Sequence, residues 1–240
     1  MSRLLYGVHP VLEALAARRR EVSAVYTSED AVEKQARTLG VPCERRTRPE
    51  LDALAGPGVR HQGAIAVVGE YPYATVEAVV AAVTPPLVLA LDSVTDPQNL
   101  GALVRSAHML GAGGVIVPKD RAAQVTPAVV RASAGASEHT KIASVTNLAR
   151  TLEELKERGL WIVGAVAGGA EAPLPWQVDF RTPTALVIGS ESTGLRRLVR
   201  KICDLSVRIP TLGQVGSLSA AAAGAVLLYE AARQRKEASP

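Results

Sequence analysis

Short, nearly continuous apolar runs separated by helical segments limit the folds that this chain can adopt. Such runs are "LVLALD" at 87–92, "GVIVP" at 114–118, "LWIVGAV" at 160–166 and "TALVIG" at 184–189. A strand that is apolar on both faces is typical of a parallel sheet buried between two layers of helices. The sequence therefore predicts an α/β fold with a mostly parallel sheet and helices on both faces.

The segments that flank these runs have helical periodicity. The predicted helices cover residues 96–111, 147–159 and 194–202, followed by a strand at 204–210 and a final alanine-rich helix. The run "LSAAAAGAVLLY" at 218–229 is too short to span a bilayer and is followed by Glu230. We therefore interpret this run as a buried helix.

The first part of the chain reads as a smaller α/β unit. Its predicted helices are 9–18 and 29–40, and its predicted strands are 22–28 and 63–68. Prolines at 72, 85 and 86 then bracket a short amphipathic helix, a pattern that favours a linker. We predict a small substrate-binding domain at 1–70, a linker at 71–84 and a larger domain at 85–240.

Charge permits a polyanionic partner without requiring one. The chain has 27 basic and 23 acidic residues, a net charge of +4. Aromatic residues make up only 3% of the chain, which argues against a single-strand binder built on stacked bases. The arginine clusters at 18–20 and 45–48 are compatible with an ordinary solvated surface and with contacts to RNA phosphates.

The two cysteines, Cys43 and Cys203, have no metal-ligand spacing, so we expect no metal site. No signal-peptide pattern is present at the N-terminus, and we expect a reducing cytoplasmic setting.

Three unusual loops follow predicted strands, where ligands gather in parallel α/β sheets. In "DSVTDPQNLG", Asp96 can cap a helix whose first residue is Pro97, leaving backbone N–H groups that favour an anion. The loop "GSESTG" at 189–194 is followed by Leu195 and Arg196, not by the Lys and Ser or Thr of a nucleotide triphosphate loop. The third, "IPTLGQVGSLS" at 209–219, has no charge and suits a neutral or zwitterionic ligand held by main chain.

In order and spacing, "DPQNLGALVRSA", "ALVIGSESTGL" and "IPTLGQVGSLSAAAAGAVLLYEA" resemble the three motifs of the SpoU, or TrmH-type, RNA ribose 2'-O-methyltransferases. The segments "YGVHPVLEAL" and "HQGAIA" are similar to the substrate-recognition domain of the branch that methylates a guanosine ribose in 23S ribosomal RNA. The resemblance covers nearly the whole chain. It implies a C-terminal trefoil knot, S-adenosylmethionine as methyl donor, 23S ribosomal RNA as partner and a homodimer with the site near the subunit interface.

Two other functions stay open. One is a catalytically weak or inactive RNA-binding or ribosome-assembly protein of the same fold. The other is a transfer RNA ribose 2'-O-methyltransferase, against which the N-terminal domain argues, since transfer RNA members commonly lack such a domain.

The resemblance also implies the residues of the site. The catalytic set would be Arg105, Asn99, Glu191 and Ser217. The donor would be held, chiefly through backbone groups, by Gly189, Ile209 and Leu218. Each has an ordinary alternative: Asn99 and Glu191 as polar residues of a first helical turn, Ser217 as a helix cap, and the other three in turns and core packing.

Arg105 is the central residue of this expected site. A guanidinium stays protonated, so we interpret Arg105 as a phosphate clamp and alkoxide stabiliser, with a general-base role as the minority interpretation. The alternative is a surface arginine paired with Asp96 or with another acid. His108, three residues on, we interpret as a packed or half-exposed histidine. One departure from the family pattern is Ser219, which stands where an active-site asparagine is expected; a serine keeps one hydroxyl but lacks the amide's reach and its second donor.

Overall fold

The computed structural model describes residues 3–169, 171–214 and 216–237 of the chain. Contacts divide it into two compact units: unit 1 consists of residues 3–72 and 125–139, and unit 2 consists of residues 73–124 and 140–237. This division differs from the predicted domains in two places. Residues 73–84 belong to unit 2, and residues 125–139, within the predicted larger domain, belong to unit 1.

Unit 1 is built on a four-stranded sheet with the order β1-β4-β2-β3, in which β4 is antiparallel to β1 and β2. Its strands and helices are β1 (Arg3–Tyr6), α1 (Val8–Ala17), β2 (Val22–Thr27), α2 (Asp30–Thr38), β3 (Cys43–Arg45), α3 (Arg48–Ala55) and β4 (Ala64–Val68). The sequence reading missed β1, β3 and α3. The strand β3 is only three residues long and carries charged residues at an edge of the sheet, so it has no apolar pattern to detect.

The inserted segment 125–139 is held in unit 1 by a buried ion pair. It contains α6 (Pro127–Ala132) and a short 3₁₀ turn, Ala136–Glu138. The Glu138 carboxylate accepts hydrogen bonds from Arg20 Nη2 at 2.5 Å and from Arg20 Nε at 3.1 Å, and both side chains are buried. The Tyr71 hydroxyl donates to the Ser137 carbonyl at 2.7 Å. Arg20 of the first arginine cluster is therefore part of the core packing of unit 1.

Unit 2 contains six strands in the order β10-β8-β9-β5-β6-β7, and every ladder between them is parallel among the described residues. The strands are β5 (Leu87–Asp92), β6 (Gly114–Pro118), β7 (Ile142–Val145), β8 (Trp161–Val166), β9 (Thr184–Gly189) and β10 (Leu205–Arg208). The helices are α4 (Val76–Val80), α5 (Pro97–Met109), α7 (Leu148–Glu157), α8 (Arg197–Ile202) and α9 (Ala220–Glu237). The predicted parallel α/β fold is confirmed.

Helices cover both faces of this sheet. Val187 packs in a cluster with residues of α4, α7 and α8. Its neighbour Ile188 points to the opposite face, because successive strand residues alternate, and there it lies near Gly224 of α9. A Cβ at Gly224 would lie 2.2 Å from Leu103 Cδ2 of α5, so glycine permits the close packing of α9 on α5. The trefoil knot stays a prediction of the resemblance.

No helix among the described residues is long and apolar enough to cross a membrane.

Candidate active site

A cavity of about 540 Å³ opens at the carboxyl ends of β8, β9 and β10 in unit 2. Its walls are the loops after these three strands together with the start of α9. Loops at this edge are where parallel α/β sheets place their ligands, and the volume lies in the range of small-molecule sites. Of the described residues that line it, Glu191 and Arg200 are the charged ones.

Five of the seven expected site residues line this cavity, all in the second and third loops. They are Gly189, Glu191, Ile209, Ser217 and Leu218. Gly189 is the tightest point. A Cβ there would lie 2.3 Å from the Gly194 carbonyl carbon and 2.5 Å from its oxygen, because Ser190 and Gly194 form a β-bridge that folds the loop back on the strand. Only glycine fits this approach.

Glu191 joins the first loop to the start of the last helix. Its Oε1 atom accepts a hydrogen bond from Asn99 Nδ2 at 3.1 Å and another from the backbone N–H of Ala220 at 3.2 Å. Residues that are 92 and 29 positions away in sequence thus meet at one carboxylate oxygen. Asn99 does not line the cavity itself, but the bond to Glu191 places its amide beside the cavity wall.

Arg105 lies apart from this group. It is on α5, six residues or about 9 Å along the helix from Asn99, and its side chain is exposed. No described residue forms an ion pair or a hydrogen bond with its guanidinium, and it does not line the cavity. Asp96, the partner in the surface alternative, instead caps α5 by accepting from the Gln98 N–H at 3.0 Å. The predicted capping role of Asp96 is confirmed.

The last helix, α9, is capped by Ser219 and not by Ser217, the serine that the sequence offered as a possible cap. The Ser219 hydroxyl accepts from the Ala222 N–H at 3.2 Å, and the Ser219 carbonyl accepts from the Ala223 N–H at 2.9 Å. Ser219 therefore caps α9, and the cap alternative for Ser217 is wrong. Ser217 is exposed at the cavity rim.

Two features of the site were missed from the sequence. Asp92 is fully buried at the end of β5. Its carboxylate accepts two hydrogen bonds from Arg196, one from the backbone N–H at 2.7 Å and one from Nε at 2.5 Å. This bond ties the loop after β9 to the neighbouring strand. The acid that ends the apolar run "LVLALD" was a detectable signal. The other is Arg200 of α8, which lines the cavity and has no ion-pair partner among the described residues.

The cavity fits S-adenosylmethionine. That molecule carries a carboxylate, an ammonium group and a sulfonium, and the walls combine loop backbone with one acidic and one basic side chain. The fold and this cavity together define a parallel α/β protein with a small-molecule site at the carboxyl ends of its strands.

The comparisons with known proteins name the family. A model described as the SpoU rRNA Methylase family matches residues 86–229, and one described as RNA 2'-O ribose methyltransferase substrate binding matches residues 4–74. The chain therefore belongs to the SpoU rRNA methylase family and is an S-adenosylmethionine-dependent RNA 2'-O-ribose methyltransferase.

Individual relatives extend along the whole chain. A 23S rRNA (guanosine-2'-O-)-methyltransferase, RlmB, of Pseudomonas putida is 43% identical over 98% of this chain and 99% of its own. The RlmB of Coxiella burnetii is 39% identical over 100% of both chains. The crystal structure of the SpoU methyltransferase AviRb from Streptomyces viridochromogenes with AdoMet has a TM-score of 0.83 at 29% identity, covering 98% of this chain and 91% of that one.

Proposed function

We propose that this protein transfers a methyl group from S-adenosylmethionine to the 2'-hydroxyl of a guanosine ribose in 23S ribosomal RNA. The observation that carries the proposal is the cavity of unit 2, where residues of all three motifs converge on Glu191 and the bound donor would lie beside them. The full-length likeness to RlmB enzymes supports the choice of RNA and nucleotide.

The reaction needs orientation and electrostatic help more than a powerful base. When bound, S-adenosylmethionine supplies a methyl group activated by its sulfonium. The Glu191 carboxylate, fixed by Asn99 and Ala220, orients the two loops that face the ribose. Arg105 grips the adjacent phosphate and stabilises the oxygen as negative charge develops on it. Ser217 contacts the substrate at the cavity rim.

The methyl donor is held by backbone groups and by one arginine side chain. Gly189, Ile209 and Leu218 lie along the walls and contact the donor mainly through main chain. Arg200, the basic residue of the cavity wall, pairs with the carboxylate of the donor's methionyl part.

The Arg200 assignment has a direct test. We expect Arg200→Gln to weaken S-adenosylmethionine binding roughly tenfold, the lower end of a charge-assisted contact, as measured by calorimetry. Methylthioadenosine, which lacks the carboxylate, should bind wild type and variant alike. Arg197→Gln on the same helix, which removes a charge outside the cavity wall, is the matched control. Equal losses for both ligands would mean that Arg200 acts only on the structure of the cavity.

We also propose a homodimer built through α5 and α9. Met109 on α5 and Val226 and Tyr229 on α9 are large apolar side chains that remain 73%, 41% and 62% exposed in the single chain. Burial of such groups is a common source of subunit association. Arg105 projects from the same helix pair, so a second subunit would complete a site that one chain leaves open. Tyr229→Glu should shift the protein to monomers in sedimentation equilibrium and reduce turnover.

We assign RNA recognition to residues 1–70 and donor binding to residues 85–240, with 71–84 connecting them. A ribosomal RNA substrate supports a cytoplasmic location for the protein. A transfer RNA substrate is the weaker candidate, since the Aquifex aeolicus TrmH/SpoU tRNA modifying enzyme covers 67% of this chain, against 98% for AviRb.

Methylation of in vitro transcribed 23S ribosomal RNA with labelled S-adenosylmethionine tests the function. We expect label on one ribose 2'-oxygen, read by alkaline-resistant dinucleotides. Label on a base, or on transfer RNA in preference to 23S RNA, would contradict the proposal. Donor binding without any transfer would favour the inactive RNA-binding alternative.

A further inference from the structure

Several arginines of unit 1 are already paired with acidic side chains in the structure. Arg20 is buried against Glu138. Arg45 pairs with Asp30 and Glu33, both at 2.7 Å. Arg46 pairs with Glu44 at 2.8 Å and with Glu50 at 3.5 Å. By contrast, Arg48 and Arg60 are exposed and have no ion-pair partner among the described residues. Among the described residues, Arg48 and Arg60 thus belong, with Arg3, Arg18, Lys34 and Arg131, to the exposed basic side chains of unit 1 that are available to a partner.

Arg48 and Arg60 line the same groove, an open depression of about 690 Å³. The groove lies at one edge of the sheet, where β1, β2 and β3 end and β4 begins, because β4 is antiparallel to β1 and β2. Four segments at this edge form it, two of them belonging to α1 and α3. Loops at a fixed sheet edge are a usual place for a binding site.

A strained glutamine projects at the centre of this edge. Gln62 lines the groove, is exposed and has a φ of 53°, a left-handed conformation that is uncommon for a residue with a Cβ. The buried His61 holds the turn: its Nδ1 accepts from the Gly63 N–H at 3.0 Å, so its Nε2 carries the proton and donates to Asp52 at 2.9 Å. Strain that neighbouring bonds maintain at an exposed polar residue is a reason to look for function there.

The polar groups of the groove select the class of ligand. Arg48 and Arg60 suit phosphate oxygens, while Gln62 can donate and accept, and the Glu29 carboxylate, which also lines the groove, can only accept. A free phosphate has no N–H group that could donate a hydrogen bond to the Glu29 carboxylate or to the Gln62 amide oxygen. An unpaired RNA nucleotide offers both a phosphate and base N–H groups, and unpaired nucleotides are what sequence-specific RNA readers usually bind.

We infer that this groove, which we call the Gln62 groove, binds an unpaired nucleotide of the RNA substrate, with Arg48 and Arg60 on its flanking phosphates and Gln62 on its base edge. The inference rests on the proposed function, since it takes the methylated RNA as the ligand. It places substrate selection on a defined set of residues in unit 1, and it excludes Arg20, Arg45 and Arg46 from that role.

The first test removes single positive charges from the Gln62 groove. Arg48→Gln and Arg60→Gln should each weaken binding of transcribed 23S ribosomal RNA, roughly tenfold at low salt, and reduce the slope of log affinity against log salt by about 1. The matched control is Arg45→Gln, which removes the same charge from a paired arginine of the cluster at 45–48 and should leave both quantities within about twofold. An equal loss in Arg45→Gln would show that only overall charge matters and would overturn the inference.

The second test separates RNA contact from structure at Gln62. Gln62→Gly removes the amide and relieves the left-handed backbone, so thermal stability should stay the same or rise while KM for RNA increases several-fold and kcat is retained. A variant with unchanged KM for RNA would overturn the role of Gln62. S-adenosylmethionine affinity is measured for each variant and should be unchanged. If wild type methylates 23S RNA and none of these substitutions alters RNA binding, this inference fails and the proposed function stands.

Discussion

The donor cavity of unit 2 and the Gln62 groove of unit 1 lie at corresponding sheet edges but are lined by different kinds of chemical group. The cavity is walled by glycines, small side chains and backbone, with Glu191 and Arg200 as its charged lining residues. The groove has charged or ionisable side chains at six of its ten lining positions, among them Arg48, Arg60 and Glu29. A small ligand of fixed shape can be recognised by close backbone approach, whereas a polyanion is attracted and positioned by side-chain charge.

The largest effect is expected from adding one methyl group to the wall of the cavity. Gly189→Ala should raise the dissociation constant for S-adenosylmethionine on the order of 100-fold or more, because the new Cβ would collide with the Gly194 backbone and displace the loop. Calorimetry measures the effect. Gly168→Ala is the control, since it lines the same cavity but its Cβ would meet nothing within 4 Å. Comparable losses in both variants would contradict the role of close approach at Gly189.

Substitutions of Arg105 test whether side-chain charge also contributes to RNA recognition in unit 2. The Arg105 guanidinium would act on the RNA and not on the methyl donor. Arg105→Ala should reduce single-turnover methylation about 100-fold with saturating RNA, while donor binding stays nearly intact, because the lost interaction forms mainly in the transition state. Arg105→Lys should rescue little, since an ammonium lacks the planar fork. His108→Ala on the same exposed helix surface should remain within a few-fold of wild type. Turnover near wild type in Arg105→Ala would remove Arg105 from the site.

The buried carboxyl group of Glu138 in unit 1 should affect the free energy of unfolding and not the binding of RNA or of the methyl donor. Burial raises the pKa of Glu138 above its ordinary value of 4.5, and Arg20 opposes that rise only in part. The folded protein therefore holds this proton to higher pH than the unfolded chain does. The contribution of Glu138 to unfolding free energy is greatest below pH 4.5 and declines as the pH rises through the raised pKa. Urea unfolding from pH 4 to 7 should show this decline in wild type and not in Glu138→Gln. Parallel curves for the two proteins would contradict it.

The smallest effect is expected at Ser219. Asparagine and serine cap helices about equally well, so Ser219→Asn should change the stability of the protein by less than about 0.5 kcal/mol. Because Ser219 already caps α9, we expect turnover within a few-fold of wild type. A large gain in turnover would mean that the serine has weakened catalysis, as the departure from the family motif suggests.

The parallel α/β fold of unit 2 is predictable from the sequence alone, because runs such as "LVLAL" and "ALVI" are apolar at every position and are typical of a strand buried on both faces. Motif order and spacing determined the family and the cofactor. The cap of α5 was also predictable from the sequence, because Asp96 directly before Pro97 is a local pattern and the capping hydrogen bond joins residues that are close in sequence.

Which charged side chains are free to contact a partner depends on the tertiary structure. Arg45 and Arg48 look alike in "RRTR", yet one pairs with Asp30 and Glu33 and the other faces the groove. Asn99 meets Glu191 across 92 positions, and residues 125–139 pack in unit 1 through Glu138. The physical reason is that ion pairs and buried hydrogen bonds depend on distances of a few ångströms, and those distances are set by strand order and packing, which no local pattern encodes.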